Sequence, residues 1–286
     1  MKLGWLVYES ADLEVNRDFA SYVEAKGAAR GIKIETVRTA QLSIGMRDGG
    51  ALYLRKDGRD ILPDFVIARH RDAFLSEQME RMGIPVFNGA RVSLICNDKR
   101  RTHQFLAGLP MLDTRFVNHR YAVAPAQTAY PVILKPARGH GGAHVARVAN
   151  EYEWREAADA ILPDDMLEQR IAEGAGRDLR VYVLFGEIIA GVMRTARRGI
   201  ISNFKRGGDV ALHTLTEPER ALAQAVIRRF AEADAPLSFA GVDLLYDTNG
   251  PVLNEVEDIV GSRMLYRVSD IDPVAMYLDG ILARLM

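Results

Sequence analysis

Across roughly the first ninety residues, short apolar runs alternate with stretches of helical spacing, and that alternation restricts the chain to an open, mostly parallel sheet flanked by helices. Strands are expected over 3–8, 32–37, 65–69 and 85–88. A helix is expected over 16–29, where Phe19, Tyr22, Val23 and Ala28 recur near helical spacing and Gly31 provides the stop; a second covers 73–82. Residues 52–55 and 60–62 read as a small hairpin over Lys56-Asp57-Gly58. With 286 residues, 48% of them hydrophobic, the chain has material for two or three packed lobes.

A second organisation follows. Helices are expected over 99–107, 150–161 (with Asn150 as N-cap), 217–234 and 272–286. Strands over 130–135 and 144–148 flank a glycine-rich loop, and another strand covers 166–171. Hairpins are expected over 179–185 and 188–194, turning at Gly186-Glu187, and over 239–246 and 252–257. The sequence contains no internal repeat, low-complexity tract or flexible linker.

Charge and cysteine content remove several classes of function. The 37 basic and 38 acidic residues leave a net charge of −1, so no nucleic-acid footprint is expected. A single cysteine, Cys96, rules out an intramolecular disulfide and fits a reducing cytosol; its apolar neighbours mark it as a buried, inert thiol. The start, Met1-Lys2-Leu3-Gly4-Trp5-Leu6-Val7-Tyr8, opens like a signal peptide, but Glu9 and Asp12 end the apolar run early. No stretch approaches the roughly 20 apolar residues that span a membrane. A cytoplasmic protein with no membrane partner is expected.

Three constellations carry chemistry. In the first, a buried strand delivers Lys135 into Pro136-Ala137-Arg138-Gly139-His140-Gly141-Gly142. Glycines let backbone N–H groups approach phosphate oxygens, and the lysine adds positive charge for the same oxygens. This is neither a Walker loop nor a dinucleotide fingerprint, and taken alone the glycines are better explained by an ordinary hairpin loop with positive φ. In the second, Asp243 sits inside the apolar run Ala240-Gly241-Val242-Asp243-Leu244-Leu245, where a carboxylate is costly unless paired or metal-bound. Glu255 and Glu257 share one face of the return strand, and a one-residue bulge at Asn249-Gly250 would bring Asp243 opposite Glu255. Three such carboxylates repel unless a hard cation such as Mg²⁺ lies between them; a solvated edge-hairpin face is the alternative. In the third, Asp178, Arg180, Arg194 and Ser202-Asn203-Phe204-Lys205-Arg206-Gly207-Gly208 add cations suited to carboxylate or phosphate, or simply a charged surface.

Taken in order, these pieces resemble the ATP-grasp superfamily, and within it the RimK-type glutamate ligases. The likeness runs from about Asp64 to Tyr266, through Asn97-Asp98-Lys99, Tyr130-Pro131-Val132-Ile133-Leu134-Lys135-Pro136, Glu168-Gln169-Arg170-Ile171, Gly176-Arg177-Asp178-Leu179-Arg180, the 202–208 segment, Ala240-Gly241-Val242-Asp243 and Asn254-Glu255-Val256-Glu257. It implies an α/β protein with an ATP-grasp fold preceded by a Rossmann-like pre-ATP-grasp domain. The boundaries are 1–92 for that domain and 93–286 for the ATP-grasp part, with a lid lobe at about 112–170 and a C-terminal lobe at 171–286.

The resemblance also implies roles. Lys99 and Lys135 look like the two lysines that hold ATP phosphates, and Gly139, Gly141 and Gly142 like the loop that covers them. Glu168, Gln169, Arg170 and Ile171 look like the interlobe hinge that meets adenine. Asp178 and Arg180 match residues beside nucleotide and substrate, Arg194 an arginine that stabilises an acyl phosphate, and Asn203 with Arg206 the loop facing the acceptor carboxylate. Asp243, Glu255 and Glu257 match the metal ligands, Arg69 a substrate-side arginine, and Arg263 lies in the segment near the acceptor. The sequence departs from the family pattern at Glu257, where asparagine is usual, at 258–263, which replaces a small-Pro-Gly turn, and at Arg170, where an aromatic is common.

The implied function is a carboxylate–amine ligase that uses ATP and Mg²⁺ (or Mn²⁺), passes through an acyl phosphate and releases ADP and phosphate, with Lys135, Arg194 and Arg206 carrying the chemistry. Its partners would be small carboxylates and amines, or a peptide or protein C-terminus, and relatives are often homo-oligomers. Two alternatives are an ATP-binding regulatory protein with a degenerate site and a kinase-like activity that stops at the phosphorylated acid.

Overall fold

The computed structural model describes residues 1–121, 129–139, 141–196 and 208–286. The chain opens with β1 (Lys2–Tyr8), α1 (Ser10–Ala28), β2 (Ile32–Arg38), β3 (Leu42–Met46), β4 (Leu52–Lys56), β5 (Phe65–Arg69), α2 (Ala73–Arg81) and β6 (Val86–Phe87). Strands β2-β1-β5-β6 form a parallel sheet, as the alternation of runs predicted. Parallel strands covered on both faces are apolar throughout, and the pleat sends alternate residues to opposite sides. Trp5, Val7, Val66 and Ala68 pack on one face with Leu75 and Met79 of α2. Leu6, Tyr8, Phe65 and Ile67 pack on the other with α1.

Two expectations for this region need correction. Helix α1 starts at Ser10, not at residue 16, because two helical pieces meet at a kink: Asn16 has φ −125° and ψ 20°. The Asn16 side chain donates to the Asp12 carbonyl at 2.7 Å, competing with the backbone ladder as short amides do. The hairpin over Lys56-Asp57-Gly58 is reduced to a single antiparallel bridge between Lys56 and Arg59, and residues 60–62 do not continue it as a strand. Strand β4 pairs antiparallel with β3, an element the sequence reading did not assign. Leu42 and Ile44 pack against the core beside Leu54, whereas Ile61 and Leu62 are exposed, so burial selects the upstream partner.

Helices α3 (Ala90–Cys96) and α4 (Lys99–Phe105) lead to a second sheet of β7 (Thr114–Val117), β8 (Val132–Pro136), β9 (Ala146–Val148) and, after α5 (Glu151–Ile161), β10 (Met166–Arg170). Its order is β7-β10-β8-β9, all antiparallel, with Trp154 of α5 buried against it. Asn150 caps α5 as expected, accepting from the Glu153 N–H at 3.0 Å. The third sheet holds β11 (Arg177–Leu184), β12 (Glu187–Thr195), β13 (Asp209–His213), β14 (Phe239–Asp247) and β15 (Gly250–Glu257), in the order β13-β12-β11-β14-β15. Between β13 and β14 runs α6 (Glu217–Glu232), opened by a Thr216/Glu219 capping box. After β15 come α7 (Arg263–Val268) and α8 (Pro273–Arg284).

One face of this third sheet packs on α6. The other face shares a single apolar cluster with the first sheet, in which Tyr182 and Phe239 join Leu6, Phe65, Phe87 and Tyr277. Buried Asn88 ties the two sheets: its Nδ2 donates to the carbonyls of Phe239 (2.7 Å) and Asp258 (2.8 Å), and its Oδ1 accepts from Ser238 N–H (2.6 Å). Asp243 does oppose Glu255, but the extra residue that brings this about is Asn254, between the Leu244–Leu253 and Asp243–Glu255 pairs, and not the turn at Asn249-Gly250.

Candidate functional site

A cavity of about 870 Å³ is walled by all three sheets, a size suited to a nucleotide with a second ligand. Strand β8 brings Lys135 to it. The residue is 5% exposed, and its Nζ donates to Oε1 of Gln169 (3.0 Å) on β10 and to Oδ1 of Asn254 (3.1 Å) on β15. Burial pulls its pKa down to about 8; Glu255 opposes that shift and Lys99 adds to it. Lys99 opens α4, whose N-terminus is capped by Asp98, and its Nζ donates to the Gly139 carbonyl at 2.7 Å with Oε2 of Glu255 at 3.9 Å. Gly139, Gly141 and Gly142 line the same cavity at φ of 130°, 69° and 76°, values that a side chain would strain.

The expected hinge divides between two faces. Gln169, Arg170 and Ile171 line the cavity. Glu168 does not: it turns toward α5, where Oε2 accepts from Trp154 Nε1 (2.7 Å) and Arg115 Nη2 (2.9 Å). Arg170 is held by Asp247 through Nη2–Oδ2 at 2.6 Å and Nη1–Oδ1 at 3.2 Å, which fixes its guanidinium plane at the cavity edge.

On the third sheet a chain of alternating charge runs Asp178–Arg194–Asp243–Arg180–Glu257. Arg194 reaches Asp178 Oδ1 through Nε (2.9 Å) and Asp243 Oδ2 through Nη2 (2.7 Å). Arg180 forks onto Asp243, Nε to Oδ1 at 2.8 Å and Nη2 to Oδ2 at 2.7 Å, and also meets Glu257 Oε2 at 2.5 Å. Asp243 itself is 0% exposed. Burial alone would raise its carboxyl, but Arg180 and Arg194 outweigh that and hold it at about 2.

The carboxylate repulsion that the sequence reading assigned to a shared cation is therefore met by two guanidinium groups. Among the described residues no three His, Cys, Asp or Glu side chains gather as a metal cage. Glu255 and Glu257 do line the cavity, and Mg²⁺ is commonly bound by one or two carboxylates together with phosphate oxygens, so this pair fits such an ion while Asp243 does not. Asp178, Arg180, Arg194, Arg69 and Arg263 also line the cavity; Asn203 and Arg206 lie outside the described residues.

Several lining residues were not singled out from sequence, Tyr8, Asp12, Asn16 and Arg71; Asn97 and Asp258 entered the sequence reading only as members of the 97–99 and 258–263 segments, with no role of their own. Asp12 and Arg71 pair at 2.6 Å. Asp258 accepts from Asn97 Nδ2 at 3.0 Å, and burial pushes its carboxyl up to about 7. Tyr8 and Arg69 are register partners at the carboxyl ends of β1 and β5, where open α/β sheets present their ligand sites, so the strand pattern did hold a usable signal. Cys96 also borders the cavity; burial raises its thiol, which stays protonated and a poor nucleophile.

Residues 96–281 match the family model of the RimK-like ATP-grasp domain. This chain belongs to the RimK-like ATP-grasp family. It is 31% identical over 210 residues to a probable alpha-L-glutamate ligase 2 of Shewanella frigidimarina, covering 68% of this chain and 67% of that protein. Its fold is that of the D-cycloserine synthetase DcsG, with TM-score 0.72, 18% identity, and coverage of 99% of this chain and 100% of the other. It is likewise that of the ATP-grasp ligase PsnB, solved with a phosphomimetic variant of its minimal precursor, Mg and ADP (TM-score 0.69, 17% identity, coverage 99% and 98%). In this RimK-like ATP-grasp chain the matched segment supplies Lys99, Lys135, the glycines, the charge chain and both cavity glutamates. The sheet that precedes it supplies Tyr8 and Arg69.

Proposed function

We propose that the chain is an ADP-forming carboxylate–amine ligase that uses ATP with Mg²⁺, or Mn²⁺ in its place, and joins a carboxylate to an amine. The observation that carries this reading is Lys135: a buried ammonium whose hydrogen-bond partners are two amide oxygens, on a wall shared with Lys99 and the glycine loop. A buried cation held by neutral partners is poised for an anionic ligand, and burial strengthens its attraction for phosphate.

In the reaction, a carboxylate oxygen attacks the γ-phosphorus, the bond to the β-phosphate oxygen breaks and ADP leaves. The amine nitrogen then attacks the acyl carbon, the C–O bond to phosphate breaks, and the nitrogen loses a proton as the amide forms. Lys135 and Lys99 hold the transferring phosphoryl oxygens, while backbone N–H groups around Gly139, Gly141 and Gly142 close over them and keep water out. Arg194 and Arg180 present their remaining donors toward the acyl phosphate, Arg206 and Asn203 serve the acceptor carboxylate as the family resemblance implies, and Arg69 and Arg263 hold substrate. Gln169, Arg170 and Ile171 border adenine. Glu255 and Glu257 would hold the divalent ion, which would supply positive charge to offset that of the phosphates. The 1–92 segment acts as the pre-ATP-grasp unit and 93–286 as the ATP-grasp unit, with acid, amine or a peptide C-terminus as partners.

The deciding experiment is ADP release across a matrix of amino acids and small carboxylic acids, with mass spectrometry of the hits. A pair-dependent product lighter than the two reactants by one water is expected. Unchanged nucleotide binding and ADP release in Lys135→Ala would sink the proposal. The commitment of Asp243 to two arginines favours one second reading, an ATP-binding regulator, for which Mg²⁺-dependent ATP binding would come with no ADP release from any pair.

A further inference from the structure

Strand β15 is the outer strand of the third sheet, and it carries the bulge at Asn254. That bulge decides where two carboxylates go. Continued without it from the Leu244–Leu253 pair, the ladder would set Glu255 opposite Val242 and Glu257 opposite Ala240, on the apolar face that packs on α6. With Asn254 as the extra residue, Glu255 opposes Asp243 and Glu257 opposes Gly241, and both line the cavity. The extra residue of a bulge is left out of the ladder, so its backbone groups must find other partners.

His103 on α4 supplies such a partner. Its Nε2 lies 3.2 Å from the Asn254 carbonyl; a carbonyl only accepts, so Nε2 carries the hydrogen and donates. The residue is buried, and its ring meets that of Phe116 on β7 at 72°, with centroids 6.2 Å apart, which holds the imidazole plane. Burial, with Lys135 adding to it, pulls the His103 pKa down to about 4, so at neutral pH the ring is an uncharged donor. Lys99 stands four residues earlier on the same helix, one turn away on the same face, with its Nζ 3.9 Å from Glu255 Oε2. One helix face therefore meets two consecutive residues of the bulged strand. Asn254 in turn gives its side chain to Lys135, whose Nζ donates to Oδ1 at 3.1 Å.

We propose that His103 is a positioning residue: by holding the Asn254 carbonyl it pins the bulge that turns Glu255 and Glu257 into the cavity and seats the Asn254 amide on Lys135. His103 does not itself line the cavity and acts through Asn254. This deepens the ligase reading, on which it rests for the role of the two glutamates in holding the divalent ion.

The test compares three variants of the full chain. His103→Gln keeps an amide donor as many bonds from Cβ as the imidazole Nε2, His103→Asn brings its donor one bond short, and His103→Met fills similar space with no donor. Two readouts are taken: the Mg²⁺ concentration for half-maximal binding of a non-hydrolysable ATP analogue, and hydrogen exchange of peptides covering β15 in the chain free of nucleotide and metal. His103→Asn and His103→Met raise the Mg²⁺ midpoint about tenfold and speed β15 exchange by about the same factor, the scale of one lost hydrogen bond, while His103→Gln stays within about threefold of native in both. Should His103→Met fail to fold, the contrast between His103→Asn and His103→Gln decides. Unmoved exchange in His103→Asn overturns the proposal, as does a shift in His103→Gln as large as that in His103→Asn. Faster exchange or a lowered melting temperature with an unmoved Mg²⁺ midpoint makes the role structural only and overturns it as well. If the native chain binds the analogue without regard to Mg²⁺, the metal part of the ligase reading fails, and the analogue's own affinity, set by Lys135 on its Asn254 seat, takes the midpoint's place with the same expectations.

Discussion

Arg180 and Asp243 face each other across β11 and β14 in a two-pronged ion pair, 2.8 and 2.7 Å, with Asp243 sealed from solvent and also touched by Arg194. Removing one partner of a buried pair strands the other's charge. Asp243→Ala is expected to cost about 3–5 kcal/mol, read from urea unfolding. The pH dependence has a definite sign. The folded carboxyl is held at about 2, below the unfolded value of about 3.9, so its contribution is complete above that value and fades as pH falls toward 2. Asp243→Asn should flatten that acid limb, and an unchanged limb would mean that the pair does not form.

Lys135 carries a trade of stability against function. Its ammonium is buried and its pKa falls to about 8, against about 10.4 for a free lysine. Between those values the unfolded chain binds more protons, so this residue's contribution to folding improves as pH rises from 8 and is a fixed cost below it. Lys135→Met is therefore expected to melt no lower than the native chain at pH 7 while losing about 100-fold or more in ADP release. A drop in melting temperature would contradict this.

The same residue predicts a basic limb in nucleotide binding. Affinity for ATP should fall as pH rises past about 8 and Lys135 loses its proton. Lys135→Arg, which does not titrate in that range, should bind with a flat profile. A native profile that stays flat to pH 10 would remove Lys135 from the phosphate site.

Gly241 is required for space. A Cβ there would lie 2.9 Å from Val260 Cγ2 and 3.2 Å from Cδ and Nε of Arg180. Gly241→Ala should cost about 1–3 kcal/mol by overpacking and push Arg180 off Asp243. Thermal unfolding reports the cost, and a neutral result would show that the Arg180 stem is free to move.

Glu255→Gln tests the metal assignment. With one carboxylate of the Glu255–Glu257 pair neutralised, the Mg²⁺ concentration for half-maximal nucleotide binding should rise about tenfold or more. Metal titration followed by nucleotide fluorescence measures it, and an unmoved midpoint would place the ion elsewhere.

Elements defined by local physics were legible in the sequence. The parallel strands of the first sheet, the capped helices α5 and α8, and the hairpin through Gly186 follow from short-range pattern, turn chemistry and capping. The order of motifs from Lys99 to Glu257 likewise identified the family that residues 96–281 match. Pairing choices were not legible. The preference of β4 for β3 over residues 60–62 depends on which apolar residues the core can bury, a choice made by contacts distant in sequence such as those with Leu75 and Met79 of α2.

Sequence alone fixed which charged residues would enter the third sheet, because an acid inside an apolar run must find a counter-charge. What the counter-charge is depended on tertiary structure. A bulge of one residue at Asn254 and the alignment of β11 with β14 put Arg180 and Arg194 against Asp243 and left Glu255 and Glu257 to the cavity. The physical reason is range: propensity, capping and periodicity act over a few residues, whereas a counter-ion 63 positions away is chosen by strand register, which the whole core sets at once.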